Sequence, residues 1–183
     1  MENGQISLLI LALVIVGTVV WYITTMNQFA RLLVKIVESD SGIDVALTKR
    51  YDTLTKMLDV TKAYARHEAE TQAAIVSLRQ GMSMKERSEA NRAMDAVAGR
   101  INLRAEAYPD LRSSENFKEL QQGIKEVEEH LQAARRIYNM NVSAFNQLLA
   151  SWPASIVGNI KKHSAREFFE ADNDKKADVP MQF

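Results

Sequence analysis

Three histidines, His67, His130 and His163, are the side chains best suited to metal chemistry in this sequence, and their neighbours decide against it. A di-iron carboxylate centre in a helical protein places a glutamate three residues before a histidine on each of two helices, with further glutamates facing inward. Here those positions hold Tyr64, Val127 and Ile160. His67-Glu68 fails as a zinc-protease signature because the position four after His67 is Thr71. Glu126 and His130 share a helix face, but Val127 and Leu131 belong to an apolar stripe that leaves His130 beside it. The absence of cysteine excludes disulfides, Cys-ligated zinc, iron–sulfur clusters and thiol catalysis. No two glycines lie close enough to form a phosphate-binding loop. The expectation is a protein with no cofactor, no metal and no catalytic residue, and so not an enzyme.

A second group of residues suits recognition. Arg135 and Arg136, just before Tyr138, offer guanidinium donors to an acidic partner or a lipid headgroup. The alternative is pairing with Glu106, Glu128 or Glu129 of the same molecule, which is worth little when exposed. Asn141 stands in an otherwise apolar stripe, where it either bonds the backbone of a neighbouring helix or meets a ligand. Nucleic acid is not an expected partner, because 23 Lys and Arg cancel 23 Asp and Glu and leave no basic field.

The elements that position these residues are helical. Seven glycines and three prolines among 183 residues are too few for the turns of an all-β chain. Charge is distributed unevenly. Between Glu2 and Arg31 lie 28 residues without a charged side chain, and the 153 residues from Arg31 onward hold every charge except Glu2. Residues 6–26 would span roughly 31 Å as a helix, against a hydrocarbon core of about 30 Å. No Lys or Arg precedes the run, and it ends on Trp21 and Tyr22, which suits an interfacial aromatic belt and not a signal-peptide cleavage site. Arg31 and Lys35 follow on the far side, so the excess of basic residues predicts an N-terminus outside and a cytoplasmic body.

The body divides at helix signals. Ser41 and Asp44 have capping-box spacing and predict a helix start, with Ile43, Leu47, Tyr51, Leu54, Leu58, Ala65 and Val76 as its apolar positions and Gly81 as its end. Ser83 and Glu86 repeat the spacing before a helix with Ala90, Met94, Val97 and Ile101 on one side, stopped by Pro109. Phe117, Leu120, Ile124, Val127, Leu131, Ala134, Tyr138, Asn141, Phe145 and Leu148 then recur at alternating spacings of three and four, a heptad seam of coiled-coil type. Phe29, Leu32, Leu33, Ile36 and Val37 form the apolar side of a segment that continues the membrane helix. Short connections predict antiparallel neighbours.

The chain thus divides into a short extracytoplasmic N-terminus (1–5), a transmembrane helix (6–26), a cytoplasmic helical bundle (27–153) and a C-terminal short helix with an extended tail (154–183). The fold class is all-α: an N-terminal transmembrane helix followed by an elongated antiparallel four-helix bundle. In the tail, Ile156, Val157 and Ile160 suggest the helix, and Val179, Met181 and Phe183 alternate as an extended strap. That tail either packs into a bundle groove or engages a partner or the membrane, with Lys161 and Lys162 attracted to anionic lipid.

Laid in order, these segments resemble the LemA family. The resemblance rests on Ile43-Asp44-Val45-Ala46-Leu47 with Lys49-Arg50-Tyr51-Asp52, on Ala63-Tyr64-Ala65 leading to His67-Glu68, and on Glu106-Ala107-Tyr108-Pro109-Asp110-Leu111. It continues in Arg135-Arg136-Ile137-Tyr138-Asn139 followed by Val142, Phe145 and Asn146, and in Trp152-Pro153, Phe168-Phe169-Glu170 and Phe183. The resemblance implies a single-pass protein of the bacterial inner or plasma membrane with a cytoplasmic helical bundle, and it implies no chemistry. Two functions are compatible with these features. One is a non-enzymatic scaffold or adaptor at the bilayer with a protein partner or self-association; the alternative is a bundle that senses or is regulated by a small ligand.

Overall fold

The computed structural model describes residues 2–64 and 81–169, with side chains from residue 4 onward. All regular structure among these residues is helical: α1 (Glu2–Tyr64), α2 (Met84–Ala107), α3 (Pro109–Ser113), α4 (Glu115–Ala150) and α5 (Ala154–Ile160). Helix α1 is unbroken for 63 residues. It contains no proline, and six of its seven threonine hydroxyls are turned back on the helix itself. Thr18 donates to the Val14 carbonyl at 2.8 Å and Thr61 to that of Met57 at 2.7 Å. Such back-bonding removes a polar group that would otherwise need an outside partner.

The capping box expected at Ser41 and Asp44 does not form, because the helix passes straight through Ser39–Gly42. Asp40 and Asp44 instead meet Arg87 of α2, at 2.5 and 3.2 Å. The box expected at Ser83 is complete: the Glu86 amide donates to Ser83 Oγ at 3.2 Å and the Ser83 amide to Glu86 Oε2 at 2.7 Å. Gly81 has φ of +81°, the left-handed conformation expected of it. Tyr108 caps α2 in an extended conformation, as the following proline requires.

The described chain divides into two compact units, Met1–Glu38 with Asn139–Glu167, and Ser39–Tyr138 with Phe168–Phe183, each taken through its described residues. In the first, α1 and α4 run antiparallel: Asn141 Nδ2 donates to the Lys35 carbonyl at 3.2 Å, and further along the Phe145 and Phe29 rings meet edge-on at 5.7 Å. The expected apolar side of α1 is found at Phe29, Leu32, Leu33 and Ile36, all buried or half-buried, whereas Val37 is exposed. Val37 lies about 80° around the helix from Phe29, at the edge of the stripe.

In the second unit α1 and α4 are again antiparallel, with Thr53 beside Gly123 and Gly42 beside Ala134. Helix α2 departs from the antiparallel expectation. Asp40 and Asp44 pair with Arg87, and Arg50 with Asn91 and Asp95, so numbering rises in the same direction along both helices. In this register Arg87 and Asp95 each stand level with a counter-charge on α1. Ile43, Leu47 and Leu54 of α1, Ala90, Met94, Val97 and Ile101 of α2, and Phe117, Val127 and Leu131 of α4 are all buried. Every residue of the heptad seam on α4 is buried or half-buried, including Asn141. Ala65 and Val76 lie outside the described residues.

Candidate functional site

The most heavily built polar cluster centres on Arg50, whose side chain is 3% exposed. It sits on the face of α1 between Leu47 and Leu54, so its guanidinium enters the apolar interior and must find acceptors there. Nη1 donates to Asn91 Oδ1 at 2.5 Å and to the Asn91 carbonyl at 3.3 Å. Nη2 pairs with Asp95 and, at 3.1 Å, with Glu128. One cation therefore ties α1 to α2 and α4. Nε is buried with no hydrogen-bond partner among the described residues. The two carboxylates are 36% and 43% exposed, so the cluster is open to water on their side. In the sequence Arg50 stands out only as part of the Lys49-Arg50-Tyr51-Asp52 motif. Its position four residues from buried apolar positions on the same face was the available signal.

A second acid–base cluster lies one to two turns away along α1. Burial raises the Asp44 carboxyl above its ordinary value; the Arg87 guanidinium opposes this, and the like charge of Asp40 adds to the rise.

The residues singled out for interaction take different positions. Asn141 is half-buried and bonds the Lys35 backbone. Tyr138 is buried, Arg135 is half-buried with its guanidinium 4.7 Å from the Phe169 ring centre, and Arg136 is exposed. Glu128, one of the carboxylates considered for Arg135 and Arg136, accepts from Arg50. Phe183 and His67 lie outside the described residues. Of the membrane-interface group, Trp21 and Tyr22 are half-buried, while Arg31 and Lys35 are exposed and line an open groove of about 480 Å³ with Gln28, Gln147 and Ser151.

His163, considered for metal chemistry, instead stacks among aromatic rings, 5.1 Å from Phe29 and 5.7 Å from Phe145. Asn146 holds the adjoining segment by a reciprocal pair: the Arg166 amide donates to Asn146 Oδ1 at 2.8 Å and Asn146 Nδ2 donates to the Arg166 carbonyl at 2.9 Å. Among the described residues no three His, Asp or Glu side chains gather as a metal site would require.

Fold and clusters together define a class: an all-helical protein with one long apolar N-terminal helix, whose charged side chains join helices to one another. The sequence pattern of the LemA family matches residues 39–183, and the chain belongs to that family. It is also similar to Protein LemA of Metamycoplasma hominis, with 26% identity over 164 residues, covering 86% of this chain and 74% of that protein.

Proposed function

We propose that the chain is a membrane-anchored, non-enzymatic helical scaffold or adaptor, crossing the bacterial inner or plasma membrane once with its N-terminus outside and its helical body in the cytoplasm. The carrying observation is α1. Its apolar residues from Ile6 to Val20 leave Leu8, Leu9 and Leu13 more than 65% exposed, a surface that water penalises and lipid does not. The same helix continues without a break into packed, charged sequence. Its lone hydroxyl at mid-span, Thr18, is satisfied within the helix, as a lipid environment demands.

Charge supports the orientation. Arg31 and Lys35 closely follow the apolar run, whereas no Lys or Arg precedes it. A reporter fused at Phe183 is expected to be active only in the cytoplasm; activity only outside overturns the orientation. The scaffold role is tested by crosslinking in native membranes followed by mass spectrometry, with recurrent partners or self-association expected. Recovery of neither removes the role.

Small-ligand sensing is the alternative. It draws support from an open groove of about 720 Å³ in the second unit, where Lys56, Glu119 and Glu126 offer charge beside Val60 and Leu120. A small-molecule thermal-shift screen on the full chain that finds no stabilising compound would exclude it.

A further inference from the structure

Helix α5 has two unlike faces. Ala154, Val157 and Gly158 are buried, and the backbone at Gly158 lies so close to Leu149 and Phe29 that an added Cβ would come within 2.5 Å of Leu149 Cδ1 and 3.4 Å of Phe29 Cζ. On the opposite side Ile156 is 47% and Ile160 61% exposed, and Trp152, in the turn before the helix, is 82% exposed. Ile156 and Ile160 are spaced by four, which aligns them on that side of the helix, and Trp152 stands two residues before its start. Lys161 and Lys162 follow directly, both exposed. A large aromatic just before the short helix and two branched aliphatics on it, all bare, form a surface that asks for an apolar neighbour.

The height of this surface along α1 indicates the neighbour. Lys35 pairs with Asn141 and Phe29 with Phe145, so α4 descends toward the apolar run as its numbering rises. At that register Ala150 reaches the level of about residue 25 of α1. Gly158, packed on Phe29, keeps α5 at the same level. Met26 ends the apolar run there, so the surface stands within about one helical turn, roughly 5 Å, of the depth at which α1 leaves the hydrocarbon. A tryptophan flanked by aliphatics and lysines suits a headgroup layer, where the indole sits at the boundary and the ammonium groups meet anionic phosphates.

We propose that the outer face of α5, with Ile156 and Ile160, together with Trp152 before it and Lys161 and Lys162 after it, is seated in the headgroup layer beside α1 and prefers anionic lipid. The proposal rests on the reading of α1 as a membrane span. It gives the protein a second, peripheral membrane contact.

Two single-tryptophan forms of the full chain separate the two ideas. Trp21→Phe leaves Trp152 as reporter, and Trp152→Phe leaves Trp21. Each is reconstituted in phosphatidylcholine vesicles, with or without phosphatidylglycerol, in which part of the lipid is brominated on the acyl chain near the headgroup. Trp152 is expected to lose about half of its emission to the brominated lipid, as a group at the acyl boundary should, and to resist aqueous iodide. The loss is expected to be larger with phosphatidylglycerol, an increment that the double substitution Lys161→Gln and Lys162→Gln removes. Equal quenching in both compositions overturns the anionic preference. Trp152 open to iodide and untouched by bromine overturns the seating, as does Trp152 shielded from both, which would place protein over it. If Trp21 is quenched while Trp152 is not, the span stands and the α5 contact falls; if neither is quenched, the span itself fails.

Discussion

Arg50 of α1 donates through Nη1 to the Asn91 side chain of α2 at 2.5 Å, deep among apolar residues, while its Nη2 reaches Asp95 and Glu128. This one guanidinium aligns three helices, because a planar fork can serve acceptors on two sides at once. A lysine offers a single point of charge and cannot.

Removal of that cation is therefore costly. Arg50→Met is expected to lower stability by about 2 to 4 kcal/mol, less than for a fully enclosed pair because Asp95 and Glu128 can rehydrate. Arg50→Lys should recover only part of the loss. Chemical denaturation of the full chain in nanodiscs, followed by circular dichroism, measures both; an Arg50→Met chain as stable as the parent contradicts the clamp.

Phe168 and Phe169 are adjacent and opposite in fate, at 47% and 1% exposed. Phe169→Ala is expected to cost about 3 to 5 kcal/mol through the cavity it leaves and the lost contact with Arg135. Phe168→Ala should stay within about 0.5 kcal/mol of the parent. Equal effects in denaturation would mean that the segment after α5 does not hold the described packing.

The Ser83 cap has both of its hydrogen bonds. Ser83→Ala is expected to cost about 1 kcal/mol, and Ser83→Asp to be nearly neutral, since a carboxylate accepts from the same amide and suits the helix N-terminus. Thermal melts of the two variants compare them directly.

Asp44 behaves in the opposite sense to an ordinary paired carboxylate. Its affinity for protons is raised above the ordinary value of 3.8 in the folded chain, chiefly by burial. The folded state then binds more protons than the unfolded one between the ordinary and the raised value. Stability from this group is gained as pH falls through that window, and the ionised form is a net cost above it. Asp44→Asn, which keeps an acceptor for Arg87, is expected to be at least as stable as the parent at neutral pH. Its advantage should vanish as pH falls below the carboxylate range. A melting series across pH in which the variant is weaker at neutral pH refutes this.

Lys162 ends α5 at φ of 53°, a left-handed conformation, while the His163 amide donates to the Gly158 carbonyl at 3.0 Å. This is a Schellman-type close in which glycine would be at ease. Lys162→Gly should raise stability by about 0.5 to 1 kcal/mol, and a melt showing a loss would place the lysine side chain in the packing.

Much of the architecture is legible from local pattern. The apolar run, the complete cap at Ser83, the stop at Pro109 and the heptad stripe from Phe117 to Leu148 each follow from interactions within a few residues. Ser41 and Asp44 show where that logic fails. Their spacing fits a helix start, but Asp40 and Asp44 are taken by Arg87, and nothing in the neighbouring sequence forbids the helix from continuing.

What the sequence by itself determined is the helical class, the bounds of α2 and α4, which of their faces are apolar, and the family to which the chain belongs, because periodicity, capping chemistry and motifs are written along the chain. Only the tertiary structure decided that α2 runs alongside α1 in the same direction, that Arg50 points inward, and that Trp152, Ile156 and Ile160 are bare near the level at which the apolar run ends. Those depend on which residues meet across helices far apart in sequence. A pattern of apolar and charged residues constrains that pairing without specifying it, since the same face can satisfy its charges in more than one register.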